Sequence, residues 1–116
     1  MQYLLLIYQN EAEAEKLAEA QIKQVHADYV AFTQSIVQSG HFKGGDALQR
    51  TSTATTVRVR DGKTLTTDGP FAETREQLAG YYMIEAKDLD QAVTVAGRIP
   101  SAKWGSIEVR PIRKFD

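Results

Sequence analysis

Tyr3-Leu4-Leu5-Leu6-Ile7-Tyr8 is an unbroken apolar run closed by the polar pair Gln9-Asn10. That is the pattern of a strand buried on both faces. A second run, Tyr81-Tyr82-Met83-Ile84 within Ala79–Ala86, has the same character. Strands apolar on both faces need a layer on each side, so these two runs set the terms for the fold.

Between them the chain first turns helical. From Glu11 it is rich in Ala, Glu, Lys and Gln, all good helix formers. Ala18, Ile22, Val25, Tyr29, Phe32 and Ile36 recur at alternating spacings of four and three, one apolar stripe that Gly40 stops. Glu11–Lys16 reads as a candidate separate turn, because an unbroken helix to Ser39 would be unusually long. Phe42–Leu48 is a weak strand loosened by Gly44-Gly45. Thr56–Arg60 alternates strictly, and Asp61-Gly62 is a strong hairpin signal that returns Lys63–Thr67 as its partner. Asp68-Gly69-Pro70 is a turn. Asp88 can cap a second helix whose buried side is Leu89, Ala92, Val93 and Ala96, ending near Gly97. Ser106–Ile112 alternates again, Ile107 and Val109 against Glu108 and Arg110.

This order predicts one α+β domain over residues 1–116, a ferredoxin-like βαββαβ antiparallel sheet with an inserted β-hairpin. A variant takes Thr56–Arg60 as the second core strand and Phe42–Leu48 as an irregular lead-in. Two helices cover only one face of a four-stranded sheet, so the second face is expected to meet the same sheet of another subunit in a homodimer.

Composition narrows the function. Hydrophobic residues at 42% and charged ones at 25% are the mix of a globular chain, and the net charge is −1 with Lys and Arg scattered among acids. No nucleic-acid role is expected from that distribution. The absence of cysteine removes disulfides, thiolate catalysis, iron–sulfur clusters and cysteine zinc sites. The N-terminal run is too short for a membrane span or a signal-peptide core, which points to a cytoplasmic protein with no membrane partner. There is no nucleophile elbow, P-loop or dinucleotide fingerprint, and no cofactor is expected. His26 and His41 alone make a poor start for a metal site.

The segment Thr67-Asp68-Gly69-Pro70-Phe71-Ala72-Glu73-Thr74-Arg75-Glu76-Gln77-Leu78, followed by Gly80-Tyr81-Tyr82, resembles the signature of the DGPF branch of the YCII-related family. Gly44-Gly45-Asp46-Ala47-Leu48, Thr55-Thr56-Val57-Arg58 and Ile107-Glu108-Val109-Arg110-Pro111 agree with it, so the resemblance covers nearly the whole chain. It implies a ferredoxin-like α+β fold paired into a dimeric α/β barrel with a cleft. It implies no established reaction, although a His–Asp pair has made YCII relatives suspected enzymes. His26 matches that His. The relatives' Asp falls after the second helix, where this chain reads Ile99-Pro100-Ser101. Members of the branch also occur beside extracytoplasmic-function sigma factors, which implies a regulatory association.

Each candidate residue has a chemical and a plainer reading. His26 lies roughly 80° from the centre of the helical stripe, an edge position open to a cleft, so it serves either as a general base or as a satisfied boundary histidine. Asp68 either orients His26 at a cleft mouth or closes an Asx-turn, with Phe71 walling the pocket. Arg58 and Arg110 bind a carboxylate or phosphate in a cleft, or pair with acids such as Glu85 or Glu108. Tyr81 and Tyr82 point to opposite faces, one toward the core and one, taken as Tyr82 for the ligand site, toward the pocket. One expected cleft therefore gathers His26, Asp68, Phe71, Tyr82 and Arg58 around a small polar or anionic ligand. The expected function is a cofactor-free acid–base enzyme, or a ligand-binding or regulatory module linked to a sigma factor.

Overall fold

The structure, a computed structural model, describes residues 1–115. It is α+β, with six strands and three helices: β1 (Gln2–Gln9), α1 (Glu11–Glu15), α2 (Glu19–Gln38), β2 (Phe42–Ala47), β3 (Thr55–Arg60), β4 (Lys63–Asp68), β5 (Gln77–Glu85), α3 (Leu89–Gly97) and β6 (Ser106–Pro111). Four strands form a sheet in the order β2-β5-β1-β6, each neighbour antiparallel. That order, with α2 and α3 as crossovers, is compatible with a ferredoxin-like fold. β3 and β4 form a separate two-stranded ribbon. Asp61 at φ 51° and Gly62 at φ 74° close it, the left-handed pair that a tight two-residue hairpin turn requires.

The pleat divides β1. Tyr3, Leu5 and Ile7 are buried beneath the helices with Tyr82 and Ile84 of β5, Phe32 and Ile36 of α2, and Ala92, Val95 and Ala96 of α3. Each large side chain so buried contributes about 1.5–3 kcal/mol. Leu4, Leu6 and Tyr8 point the other way, beside Tyr81 and Met83, and are only half-buried. The molecule is 19 Å through its thinnest axis, room for one sheet and one helix layer. This second sheet face is therefore bare in the single chain.

Three details bear on the expectations: the second core strand follows the main reading and not its variant, the turn after Asn10 is separate as expected, and the buried face of α3 differs. The second core strand is Phe42–Ala47 and not Thr56–Arg60, despite its glycines. A Cβ on Gly45 would stand 2.8 Å from both the Tyr81 carbonyl oxygen and Tyr82 Cδ1, so only glycine lets the Tyr82 ring lie across this strand. In α3, Asp88 does cap, accepting from the Gln91 N–H at 2.9 Å, but Leu89 and Val93 are exposed and Val95 is buried in their place. Glu11–Glu15 is a helix of its own, capped by Asn10, whose side chain accepts from the Glu13 N–H. Among the described residues, no helix is long and apolar enough to cross a membrane.

Candidate functional site

The stripe of α2 is apolar along its whole length, yet only its C-terminal half, at Phe32 and Ile36, is buried on the sheet. Toward the N-terminus Ile22 and Val30 are exposed, and Val25 and Tyr29 are half-buried. Between this half of the helix and the β2–β5 side of the sheet lies a cavity of about 940 Å³. Ile22, Val25, Val30 and Val37 wall it on the helix side, and Phe42, Ala47, Ala79 and Gly80 on the sheet side.

Its floor is polar. Ser101, in the turn Pro100–Lys103 after α3, is 1% exposed, and its Oγ lies 2.5 Å from the Tyr29 hydroxyl. Ser101 also donates to Gln9 Oε1 at 3.3 Å. Deeper along α2, Thr33 Oγ1 and the Tyr82 hydroxyl are 2.7 Å apart. The Tyr82 ring is fixed edge-on by Phe32, with centroids 5.3 Å apart, and by Phe42. Burial pushes the Tyr29 hydroxyl above the ordinary tyrosine pKa, and its bonds with Ser101 oppose that rise. His26, one turn before Tyr29 on the same helix face, is exposed and lines the cavity.

Of the six residues singled out in the sequence, His26 and Tyr82 line this cavity. The other four stand outside it, so the single chain does not form the expected shared cleft. Asp68 ends β4 opposite Thr55 and is exposed. No Asx-turn is formed: the turn is held by the Gly69 N–H donating to the Ala54 carbonyl, with Gly69 at φ 99°. Phe71 is 80% exposed on the following loop. Arg58 lies on the ribbon, on the face carrying Arg60, Lys63 and Leu65. Arg110 is on the bare sheet face, at ion-pair distance from Glu108 two positions back on the same strand, but without hydrogen-bond alignment. His41 is away from the cavity, with Nδ1 2.7 Å from the Glu85 carbonyl oxygen.

The family model for the YCII-related domain matches residues 1–116. The chain belongs to the YCII-related family. It is 36% identical over 117 residues to an uncharacterised protein of Rhizobium meliloti (strain 1021), a match covering 99% of this chain and 94% of that protein. The YCII resemblance points to a His–Asp pair, and the structure brings both stretches concerned to one cavity: His26 on α2, and Ile99-Pro100-Ser101 through Ser101. At the second, this chain offers a buried hydroxyl bonded to Tyr29.

The hydroxyls of Tyr29, Thr33 and Ser101 were not among the residues singled out in the sequence. The available signal was Tyr29 itself: a tyrosine within an apolar helical stripe needs a partner for its hydroxyl where it is buried.

Proposed function

We propose that this YCII-related chain binds a small molecule in the cavity between α2 and the β2–β5 half of the sheet, with His26 as the group that moves a proton. The supporting observation is the cavity's make-up: apolar walls around a floor of paired hydroxyls. Its volume falls in the range of small-molecule sites. His26 and Tyr29 lie one helical turn apart on the same wall, an exposed imidazole beside a half-buried phenol. An isomerisation, a dehydration that releases water, or a lactone opening with water as the nucleophile can run on such a pair without a protein nucleophile or redox group. Two copies pair through the bare sheet face of Leu4, Leu6, Tyr81 and Met83, which brings the assembly to the dimeric α/β-barrel type.

Binding without turnover is the second reading, and one observation favours it. Asp68 stands outside the cavity, and the acidic residue of its wall, Asp46, accepts a hydrogen bond from Tyr81 at 2.8 Å. Among the described residues, no carboxylate is then seen to orient His26.

The test is to incubate the protein with a metabolite extract and analyse retained compounds by mass before and after incubation. The catalytic reading expects a retained compound that is converted, with conversion lost in His26→Ala. Recovery of the compound unchanged, and equally by His26→Ala, selects binding alone. Retention of nothing overturns both.

A further inference from the structure

The charges and hydrogen atoms around the cavity go further, given the reading above that the cavity is a ligand site. Among the described residues that line it there is no lysine or arginine. Asp46 is its acidic residue, and its carboxylate is bonded to Tyr81. The smaller groove that continues from it at Gln9, Ile22, Val25 and Ala79 adds Glu11 and Glu15 against the single Arg50, which is paired with Glu15. An anion entering here would shed part of its water and meet no permanent positive charge, His26 being the one lining side chain that can carry one, and only when protonated. An ammonium would meet mostly apolar wall, since the Asp46 carboxylate is turned to Tyr81 on the bare sheet face.

Hydrogen counting on the floor then identifies what is offered. Tyr29, Ser101, Thr33 and Tyr82 carry one hydroxyl hydrogen each. One is used between Tyr29 and Ser101, one between Ser101 and Gln9, and one between Thr33 and Tyr82. The second hydrogen of the Thr33–Tyr82 pair has no acceptor among the described residues. A donor left so in a half-buried site gains most from an acceptor on the ligand.

We infer that the cavity takes an uncharged molecule with an apolar, ring-sized body and a carbonyl or hydroxyl oxygen, received by the Thr33–Tyr82 hydroxyl pair. This replaces the anionic ligand expected from Arg58 and Arg110, both of which lie outside the cavity. Either hydroxyl can supply the hydrogen alone, so Thr33→Val or Tyr82→Phe singly keeps a donor, and only the double variant removes it.

Three probes of one size test the inference: acetophenone, benzoate and benzylammonium, titrated into the isotope-labelled protein and followed by two-dimensional NMR. Acetophenone is expected to shift the resonances of Val30, Thr33 and Ala79 and to bind at least about tenfold tighter than either ion. Thr33→Val/Tyr82→Phe is expected to lose about tenfold in acetophenone affinity, the size of one hydrogen bond to an otherwise unpaired donor. Benzoate or benzylammonium binding in the cavity as tightly as acetophenone overturns the inference and leaves the site itself standing. So does a double variant that folds and binds acetophenone unchanged. If no probe shifts cavity resonances, the site reading fails as well. The ranking of probes on the parent chain needs no substitution, so the inference is decided even if the double variant does not fold.

Discussion

The Tyr29 hydroxyl lies 2.5 Å from Ser101 Oγ, tying the middle of α2 to the turn after α3 across 72 positions of sequence. This bond fixes the helix at the point where it leaves the sheet and the cavity begins. Burial raises the Tyr29 pKa above its ordinary value, so the folded chain holds that proton more tightly than the unfolded chain does. The stability contributed is complete below the ordinary tyrosine range and is lost as the pH rises through about 10 and above. The urea midpoint of the parent is therefore expected to fall more steeply above pH ~10 than that of Tyr29→Phe. Parallel curves would mean that Tyr29 is as well solvated in the folded chain as in the unfolded one.

Gly45 permits the Tyr82 ring to lie on β2. Because a Cβ there would meet the Tyr81 carbonyl and the ring at 2.8 Å, Gly45→Ala must move one of them. The expected loss is about 1–3 kcal/mol in chemical denaturation, the usual cost of overpacking. A shift of the Tyr82 ring resonances should accompany it. Gly44→Ala is the control: a Cβ there meets nothing within 4 Å, and its effect should be much smaller. Equal losses at both positions would remove the steric account.

Much of the secondary structure was legible because its causes are local. The apolar run at Tyr3–Tyr8, the Asp61-Gly62 turn and the Asp88 cap each declare themselves within a few residues. What failed depended on distant partners. In α3, Leu89-Ala92-Val93-Ala96 and Ala92-Val95-Ala96 are overlapping stripes, and only the packed sheet decides which one is buried. Gly44-Gly45 weakened the reading of β2 because the reason for Gly45 is a ring on another strand. The site was half legible for a similar reason. Periodicity showed the apolar stripe of α2 and placed His26 at its edge, but not that the stripe outruns the sheet and opens a cavity. The Asp68–Phe71 motif carried the family and not the position: it holds the base of the ribbon, with Thr56 Oγ1 donating to the Gly69 carbonyl at 2.8 Å.

Leu6 stands on the bare sheet face, opposite Tyr81 on one side and Glu108 on the other. If two copies meet there, Leu6→Lys buries a charge in an apolar interface and should yield a folded monomer. Light scattering at micromolar concentration is expected to give twice the chain mass for the parent and the single mass for the variant. A dimer that survives Leu6→Lys would place the contact on another surface.

Val30 lines the cavity from α2 and is 43% exposed, so a larger side chain at this position fills the cavity with little strain on the core. Native mass spectrometry of metabolite-loaded parent and Val30→Trp chains tests the account most directly. The parent is expected to carry a small molecule that Val30→Trp does not, while Arg110→Ala, altered outside the cavity, carries it undiminished. Retention of the same molecule by Val30→Trp, or its loss from Arg110→Ala alone, would contradict the assignment of the site.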